Sequence, residues 1–227
     1  MSKKIMIEIV IKRIDKKFFF YKGNDQVFLN ASTPFYVFKK RHANLVLKEM
    51  IKKPNNNQFS ILNLTRFSAA LNFEDRKKII ELIIGVLRND IVLFRCFDDS
   101  DFLKLLSKKL DKYIKLFSKE FELSLSLIHS LSIKEKRLNY DKFNDFLINL
   151  NNFELTCIYK LSSFTKSAIL SYFFIEKKIC YKKLFDLTNL ENNFQQKLWG
   201  YVDEQKKLDS HSLEILKDIS IFFKNIN

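Results

Sequence analysis

The sequence predicts an α+β fold. A small β-rich N-terminal domain with one helix occupies residues 1–58, and a larger all-helical, orthogonal bundle-like domain occupies residues 59–227. Three observations carry this reading. Only three glycines and two prolines occur in 227 residues, too few for the tight turns of an all-β sandwich or barrel. Apolar residues alternate loosely before the asparagine run at 55–57 and recur at steps of three and four after it. The charge changes at the same place: residues 1–58 carry 13 basic and 4 acidic side chains, residues 59–227 carry 27 and 22. Hydrophobic residues make up 47% of the chain, enough for a packed core, which excludes a disordered protein.

Taken in order, extended chain is expected over residues 5–14, 18–21 and 26–29. Lys22-Gly23-Asn24-Asp25 forms the turn between the last two, where Gly23 supplies a positive φ. Thr33-Pro34 starts a further extended piece at 35–38, because proline biases its predecessor away from helix. Residues 39–53 show helical spacing through Leu45, Val46, Glu49 and Met50, and Pro54-Asn55-Asn56-Asn57 ends it. In the second domain helices are expected over 59–71, 74–87, 102–117, 120–131, 141–150, 153–174, 178–187, 190–206 and 209–224. Asn72-Phe73-Glu74-Asp75 puts acidic groups in a first turn, favourable to the helix dipole, and Asp98-Asp99-Ser100-Asp101 is a second capping cluster. No fixed-period repeat is present, which argues against a solenoid.

The same sequence excludes most chemistry. Gly23, Gly85 and Gly200 stand too far apart for a phosphate-cradling loop or a dinucleotide fingerprint. Cys96, Cys157 and Cys180 form no close pair, so they read as small buried hydrophobes in a reducing compartment and not as a disulfide framework or zinc knuckle. His42, His129 and His211 lack neighbouring metal-ligand spacing. Helix capping explains Asp98, Asp99 and Asp101 more simply than calcium, because the downstream acidic ligand is missing. No nucleophile–histidine signature occurs, so the expectation is a protein without catalytic residues, metal or cofactor. No stretch is long and apolar enough for a membrane span, and the charged start is no signal peptide, so a soluble cytoplasmic protein is expected.

A basic helical nucleic-acid-associated protein is the alternative. The net charge of +14 and 33 aromatic residues are raw material for phosphate contacts and stacking. Against it, 33 of the 40 basic residues are lysine, in a chain crowded with Asn, Ile and Phe, as AT-biased codon usage produces. Bidentate phosphate and base recognition uses arginine heavily, and many of the aromatics sit at core spacings.

The most specific signal lies in the last third. From Asn189 a polar segment runs through Glu191, Phe194-Gln195 and on to Trp199-Gly200, the sole tryptophan followed by a rare glycine, with Glu204 four places later. Read from the residues alone, Trp199 anchors the core and Gly200 relaxes a helix junction. The passage also resembles a signature of the Atp-twelve family, chaperones that assemble the catalytic head of F-type ATP synthases. Matching segments follow in order along nearly the whole chain: Thr33-Pro34, the helix end Lys48-Glu49-Met50, Ile61-Leu62-Asn63-Leu64-Thr65-Arg66 continued by Ala69-Ala70, Asp90 to Arg95, Phe153-Glu154-Leu155 and Thr165 to Leu170. Met50 and Phe194 stand where the family carries tryptophan, and Tyr201-Val202 where acidic residues are common.

The resemblance implies a non-catalytic binder, a monomer when free. It would hold the free α subunit of the ATP synthase head and mask the surface that meets the β subunit. An unassembled ring subunit exposes a heterologous interface that can propagate into open aggregates, which is what such masking prevents. Carried over position by position, the partner-binding residues are Met50, Glu191, Gln195, Trp199, Gly200 and Glu204. The charge of residues 1–58 is expected to be mostly solvating for this role. Neutralising Lys39, Lys40, Lys52 and Lys53 together should leave client binding within a few-fold at about 0.15 M salt, where the Debye length is about 8 Å. A hundred-fold loss in a pull-down titration would refute it.

Overall fold

The computed structural model describes residues 9–30, 33–52, 57–130 and 138–226. Residues 5–8 of the first expected strand, Lys53 and the Pro54-Asn55-Asn56 helix stop lie outside the described residues.

Four antiparallel strands form one sheet: β1 (Ile9–Ile14), β2 (Lys17–Lys22), β3 (Asp25–Gln26) and β4 (Tyr36–Val37). β2 is its centre. One edge pairs with β1 from Ile9↔Lys22 to Ile14↔Lys17, and the other is shared by β3 through Tyr21↔Gln26 and β4 through Phe19↔Tyr36. The two hairpin turns use Asp15 at φ 54 and Gly23 at φ 63. The pleat sends Ile11, Phe18, Phe20 and Val37 into the core, where Phe20 stacks on Phe35 at 5.0 Å. The expected strand at 26–29 shrinks to two residues, because Phe28 bridges Pro34 instead of continuing the ladder.

Helix α1 (Lys40–Ile51) joins sheet to bundle, burying Ala43 and Val46. Its Glu49 carboxylate accepts from the backbone N–H groups of Ile61 and Leu62, the otherwise unpaired first turn of α2 (Ile61–Ala70). The bundle continues with α3 (Phe73–Arg88), α4 (Ser100–Glu120), α5 (Asp141–Asn149), α6 (Asn152–Thr165), α7 (Ala168–Ile175), α8 (Tyr181–Thr188), α9 (Leu190–Trp199) and α10 (Asp203–Ile226). The α+β class is therefore as predicted, and both acidic clusters cap: Asn72 and Asp75 form a capping box on α3, and Asp99 accepts from the amides of Asp101 and Phe102. One hydrophobic core runs without interruption from Phe20 and Phe35 through α1 into the bundle.

Four expected helices are redrawn. The helix predicted at 120–131 does not form: α4 ends at Glu120, Glu122 takes φ 51, and the chain runs extended to Ile128. There the Ile128 N–H donates to the Leu93 carbonyl and its own carbonyl accepts from Arg95. Leu123-Ser124-Leu125-Ser126-Leu127 alternates with a period of two, the signal that favours extended chain. The helix predicted at 153–174 breaks where Lys166 adopts a left-handed conformation and Ser167 caps α7. The helices predicted at 190–206 and 209–224 are re-partitioned at Gly200, and Asp203 opens a single long α10. Of the three cysteines, Cys157 is buried as expected, whereas Cys96 is half-buried and Cys180 is exposed.

Every residue of α7 is buried, packed among α3, α4, α6 and α8, with Tyr172 in a ring cluster of Phe117, Phe121 and Phe146. The fully buried Asp90 accepts from the amides of Val92 at 3.1 Å and Ile169 at 2.9 Å, bonding the N-terminus of α7 to the end of α3. Burial pushes its carboxyl up to about 7, against hydrogen bonds from Ile169, Ser167 and Val92 that favour the charged form. His42 is buried too, and its pKa falls to about 4 because the charged ring would be desolvated. Its Nε2 lies 2.7 Å from the Thr65 hydroxyl, and that hydroxyl donates to the Ile61 carbonyl, so Nε2 carries the proton.

These two groups titrate with opposite sign. Asp90 contributes stability below pH about 4 that is lost as the pH rises towards about 7, and His42 contributes stability above pH 6.5 that is lost as the pH falls towards about 4. Between pH 4 and 6.5 the slopes nearly cancel. Asp90→Asn removes one of them, so the variant's stability should rise with pH by about 1.4 kcal/mol per unit relative to wild type across that window. Denaturant unfolding at several pH values checks it, and parallel curves would refute it.

Candidate functional site

The corner between α9 and α10 is built by a polar core that leaves its apolar side chains outside. Phe194 anchors α9 on α4, its ring 4.9 Å from that of Phe102. Trp199 lies five residues further on, about 140° round the helix and so turned away from that anchor. It is 76% exposed, the most exposed large apolar side chain among the described residues. The core role expected for Trp199 is therefore overturned. Gly200 follows at φ 89, a conformation that L side chains rarely adopt, and its N–H closes α9 on the Gln196 carbonyl. The helix-junction role of Gly200 holds.

Asp209, 9% exposed in the second turn of α10, braces the junction. Its carboxylate accepts from Tyr201 Oη at 2.7 Å, Gln205 Nε2 at 2.7 Å and Gln196 Nε2 at 3.3 Å, tying α9, the connecting loop and α10 together. The bond to Asp209 raises the Tyr201 phenol above its ordinary value. Around this brace stand Leu198 at 57% exposure, Val202 at 64% and Leu208 at 60%, with the Trp199 ring. Exposed apolar side chains of this kind beside a hydrogen-bonded junction make the corner the candidate binding surface.

Glu204 is exposed in the first turn of α10, as expected. Lys206 pairs with Asp203 at 2.9 Å, and among the described residues no ion pair or hydrogen bond occupies the Glu204 carboxylate. Gln195 is half-buried and donates to Glu191 at 3.3 Å, on the side of α9 that precedes the corner. Met50 lies elsewhere. It is half-buried against the core near the end of α1, beside Glu49, whose charge, after burial, helps raise the Asp218 carboxyl. Asp218 is fourteen residues along α10 from Glu204, about 21 Å at 1.5 Å per residue. The structure thus places Trp199, Gly200 and Glu204 at the α9–α10 junction, Gln195 and Glu191 further back along α9, and Met50 apart from them near the end of α1. The sequence reading missed Asp209, Tyr201, Gln196 and Gln205, although Gln205 and Asp209 stand four apart on one helix face. Among the described residues no group of three or more His, Cys, Asp or Glu side chains converges as a metal site, and no helix is long and apolar enough to cross a membrane.

Among the described residues the fold is α+β, a bundle of ten helices carrying one small antiparallel sheet. No protein-family model matches the chain. Over 148 residues it is 22% identical to the mitochondrial atp12 protein of Schizosaccharomyces pombe, a match that covers 62% of this chain and 51% of that protein. The match thus spans about half the length of the curated relative. Among solved structures, Atp12 from Paracoccus denitrificans superposes with a TM-score of 0.81 at 15% identity, covering 96% of both chains. A chaperone candidate from Agrobacterium tumefaciens, Atu1473, superposes with a TM-score of 0.84 at 14% identity over 97% of this chain and 85% of that one. The fold is that of the Atp12 proteins, and the resemblance drawn from the sequence is borne out.

Two stability outcomes follow from the geometry of the corner. Trp199→Ala should change unfolding free energy by no more than about 0.5 kcal/mol, as exposed positions do, and not by the 3–5 kcal/mol or so of a buried aromatic. Asp209→Ala leaves three donors without their acceptor and should cost about 1–3 kcal/mol. Urea denaturation of both variants checks the pair; the reverse ranking would put Trp199 back in the core.

Proposed function

We propose that this protein is an assembly chaperone of the ATP synthase catalytic head that binds the free α subunit through the α9–α10 corner. The observation that carries the reading is an exposed Trp199 on a braced corner with the unpaired Glu204 beside it, on a chain with the Atp12 fold. Tryptophan is the residue most enriched among interface hot spots, and it acts best when its own helix holds it rigid before binding. The carboxylate next to it supplies direction: a basic group on the client pairs with Glu204 as the apolar cluster is buried. Binding in this scheme is non-catalytic and needs no cofactor. The mixed surface, apolar at the centre and charged at the rim, suits a complex that must form and later come apart. The protein acts as a monomer in the cytoplasm of a bacterium, and Met50, on a separate surface, makes a second and weaker contact.

Glu204→Ala tests the assignment. The fold's stability should stay within about 0.5 kcal/mol, while capture of the α subunit should fall by a factor of about thirty or more, the cost of unpairing one partner of a buried interfacial charge pair. A pull-down with purified α subunit reads it directly. Normal capture by a folded Glu204→Ala protein would remove Glu204 from the interface, and absence of capture by the wild type would remove the client itself.

A further inference from the structure

The outward face of the N-terminal sheet has no part in the α9–α10 corner. His42 of α1 meets Phe222 near the far end of α10, eighteen residues from Glu204, so α1, on which the sheet packs, meets α10 about 27 Å along that helix from the corner. Since Ile11, Phe18 and Phe20 point into the core, the alternation of the pleat puts Lys12, Ile14, Lys17, Phe19 and Tyr21 on the opposite face. Tyr36 of β4 joins them beside Phe19, their ring centres 5.4 Å apart, and Phe38 packs edge-on to Tyr36 at 5.5 Å. At the rim Ile14 is 48% exposed and Phe38 50%.

The lysines decide what this face can bind. Lys12 Nζ stands 4.4 Å from the centre of the Tyr21 ring and Lys17 Nζ 4.2 Å from that of Tyr36, so both ammonium groups are fixed over aromatic faces. Among the described residues up to Lys52, ten Lys and Arg stand against three acidic residues, and one of those, Glu49, is engaged at the start of α2. Single-stranded nucleic acid needs open ring faces for stacking, and here the two tyrosines are roofed by lysine. A dry protein interface is depleted of lysine. Rings at headgroup depth, lysines reaching for phosphates and a few protruding apolar side chains are instead the chemistry of a bilayer interface.

We infer that the outward sheet face docks peripherally on an anionic phospholipid bilayer. Phe38 and Ile14 enter the headgroup boundary, and Lys12 and Lys17 meet lipid phosphates with Tyr21 and Tyr36 beneath them. No segment spans the membrane, and the contact is reversible and salt-sensitive.

Sedimentation of the full chain with phosphatidylcholine vesicles, with and without phosphatidylglycerol, tests this. Binding should occur with the phosphatidylglycerol vesicles alone and weaken with salt. Each lysine near an anionic surface adds about five-fold in affinity, so Lys12→Gln with Lys17→Gln should lower binding about twenty-five-fold. Phe38→Ser should lower it too, with circular dichroism unchanged in both variants. Glu204→Ala should bind vesicles as the wild type does, which separates this surface from the client corner. Equal binding to both vesicle types, binding to neither, or a double lysine variant that binds like wild type would overturn the inference. An oligonucleotide bound where vesicles are not, or α-subunit capture lost in the double variant while vesicle binding persists, would reassign the face and overturn it as well.

Discussion

A helix buried on every side must find partners for the N–H groups of its first turn within the protein, because no water reaches them. In α7 that constraint is met by two side chains: Ser167 accepts from Leu170, and Asp90, from a distant part of the chain, accepts from Ile169. Much of the bundle is arranged round that meeting. Asp90 also accepts from Val92 and so shapes the short helical turn at Ile91–Leu93. That turn presents the carbonyls of Val92 and Phe94 to the buried Arg95, whose other amino group reaches Asp111 on α4 at 2.9 Å. Leu93 and Arg95 in turn hold Ile128, which draws the chain after α4 into extended form. One carboxylate thus couples α3, α4 and α7. The Asp90 to Arg95 stretch recognised as a family-like motif has, on this reading, a structural cause.

The α9–α10 corner inverts that arrangement. Around α7 polar groups are sparse, buried and matched, while the apolar side chains face inward. At the corner the Asp209 carboxylate is buried beneath three half-buried or exposed donors, and Leu198, Trp199, Val202 and Leu208 face out. Packing cannot hold such a surface, since its apolar groups have nothing to pack against within the chain. Directional hydrogen bonds hold it instead, and they do so without covering the apolar cluster. A braced junction and an exposed tryptophan at its edge coexist here. In the proposed chaperone role that lowers the ordering cost of binding.

Much of the fold was legible in the residues. Helical spacing, the Asn72 and Asp99 caps and the Gly23 turn all fall where period and turn chemistry put them. The errors share a cause. Local period does not report a break whose reason lies elsewhere in the chain: Lys166 turns left-handed while its carbonyl accepts from Ile91, and the segment after Glu122 is extended to meet Leu93 and Arg95. The alternation of Leu123 to Leu127 was a local signal that a helical reading passed over. At the site, motif spacing located Trp199, Gly200 and Glu204, but the side of the helix they occupy was not legible. Trp199 looked like core because tryptophan is apolar, and only the position of Phe194 against Phe102 shows that the buried side of α9 lies elsewhere. Asp209 was invisible for the opposite reason, since a carboxylate at a helix surface position ordinarily faces water.

The placement of the two surfaces constrains how they work together. α10 is one unbroken helix of 24 residues from Asp203 to Ile226, with the corner at its start and the α1 contact near its end. A client held at the corner therefore stands about 27 Å from the level at which α1 crosses the helix, far enough for both surfaces to be occupied at once. Neither has to yield for the other to act, so any coupling between them would be one of proximity. In the proposed arrangement the sheet holds the protein near an anionic surface while the corner holds the client. Tethering of that kind raises the local concentration of the client at the surface without adding any contact to it. The electrostatic part of the arrangement then lies with the sheet, whose lysines act in a salt-dependent way. The apolar part lies with the corner, where burial of Trp199 is insensitive to salt at ordinary ionic strength. That division of labour gives the uneven charge of the chain a physical reading beyond codon composition.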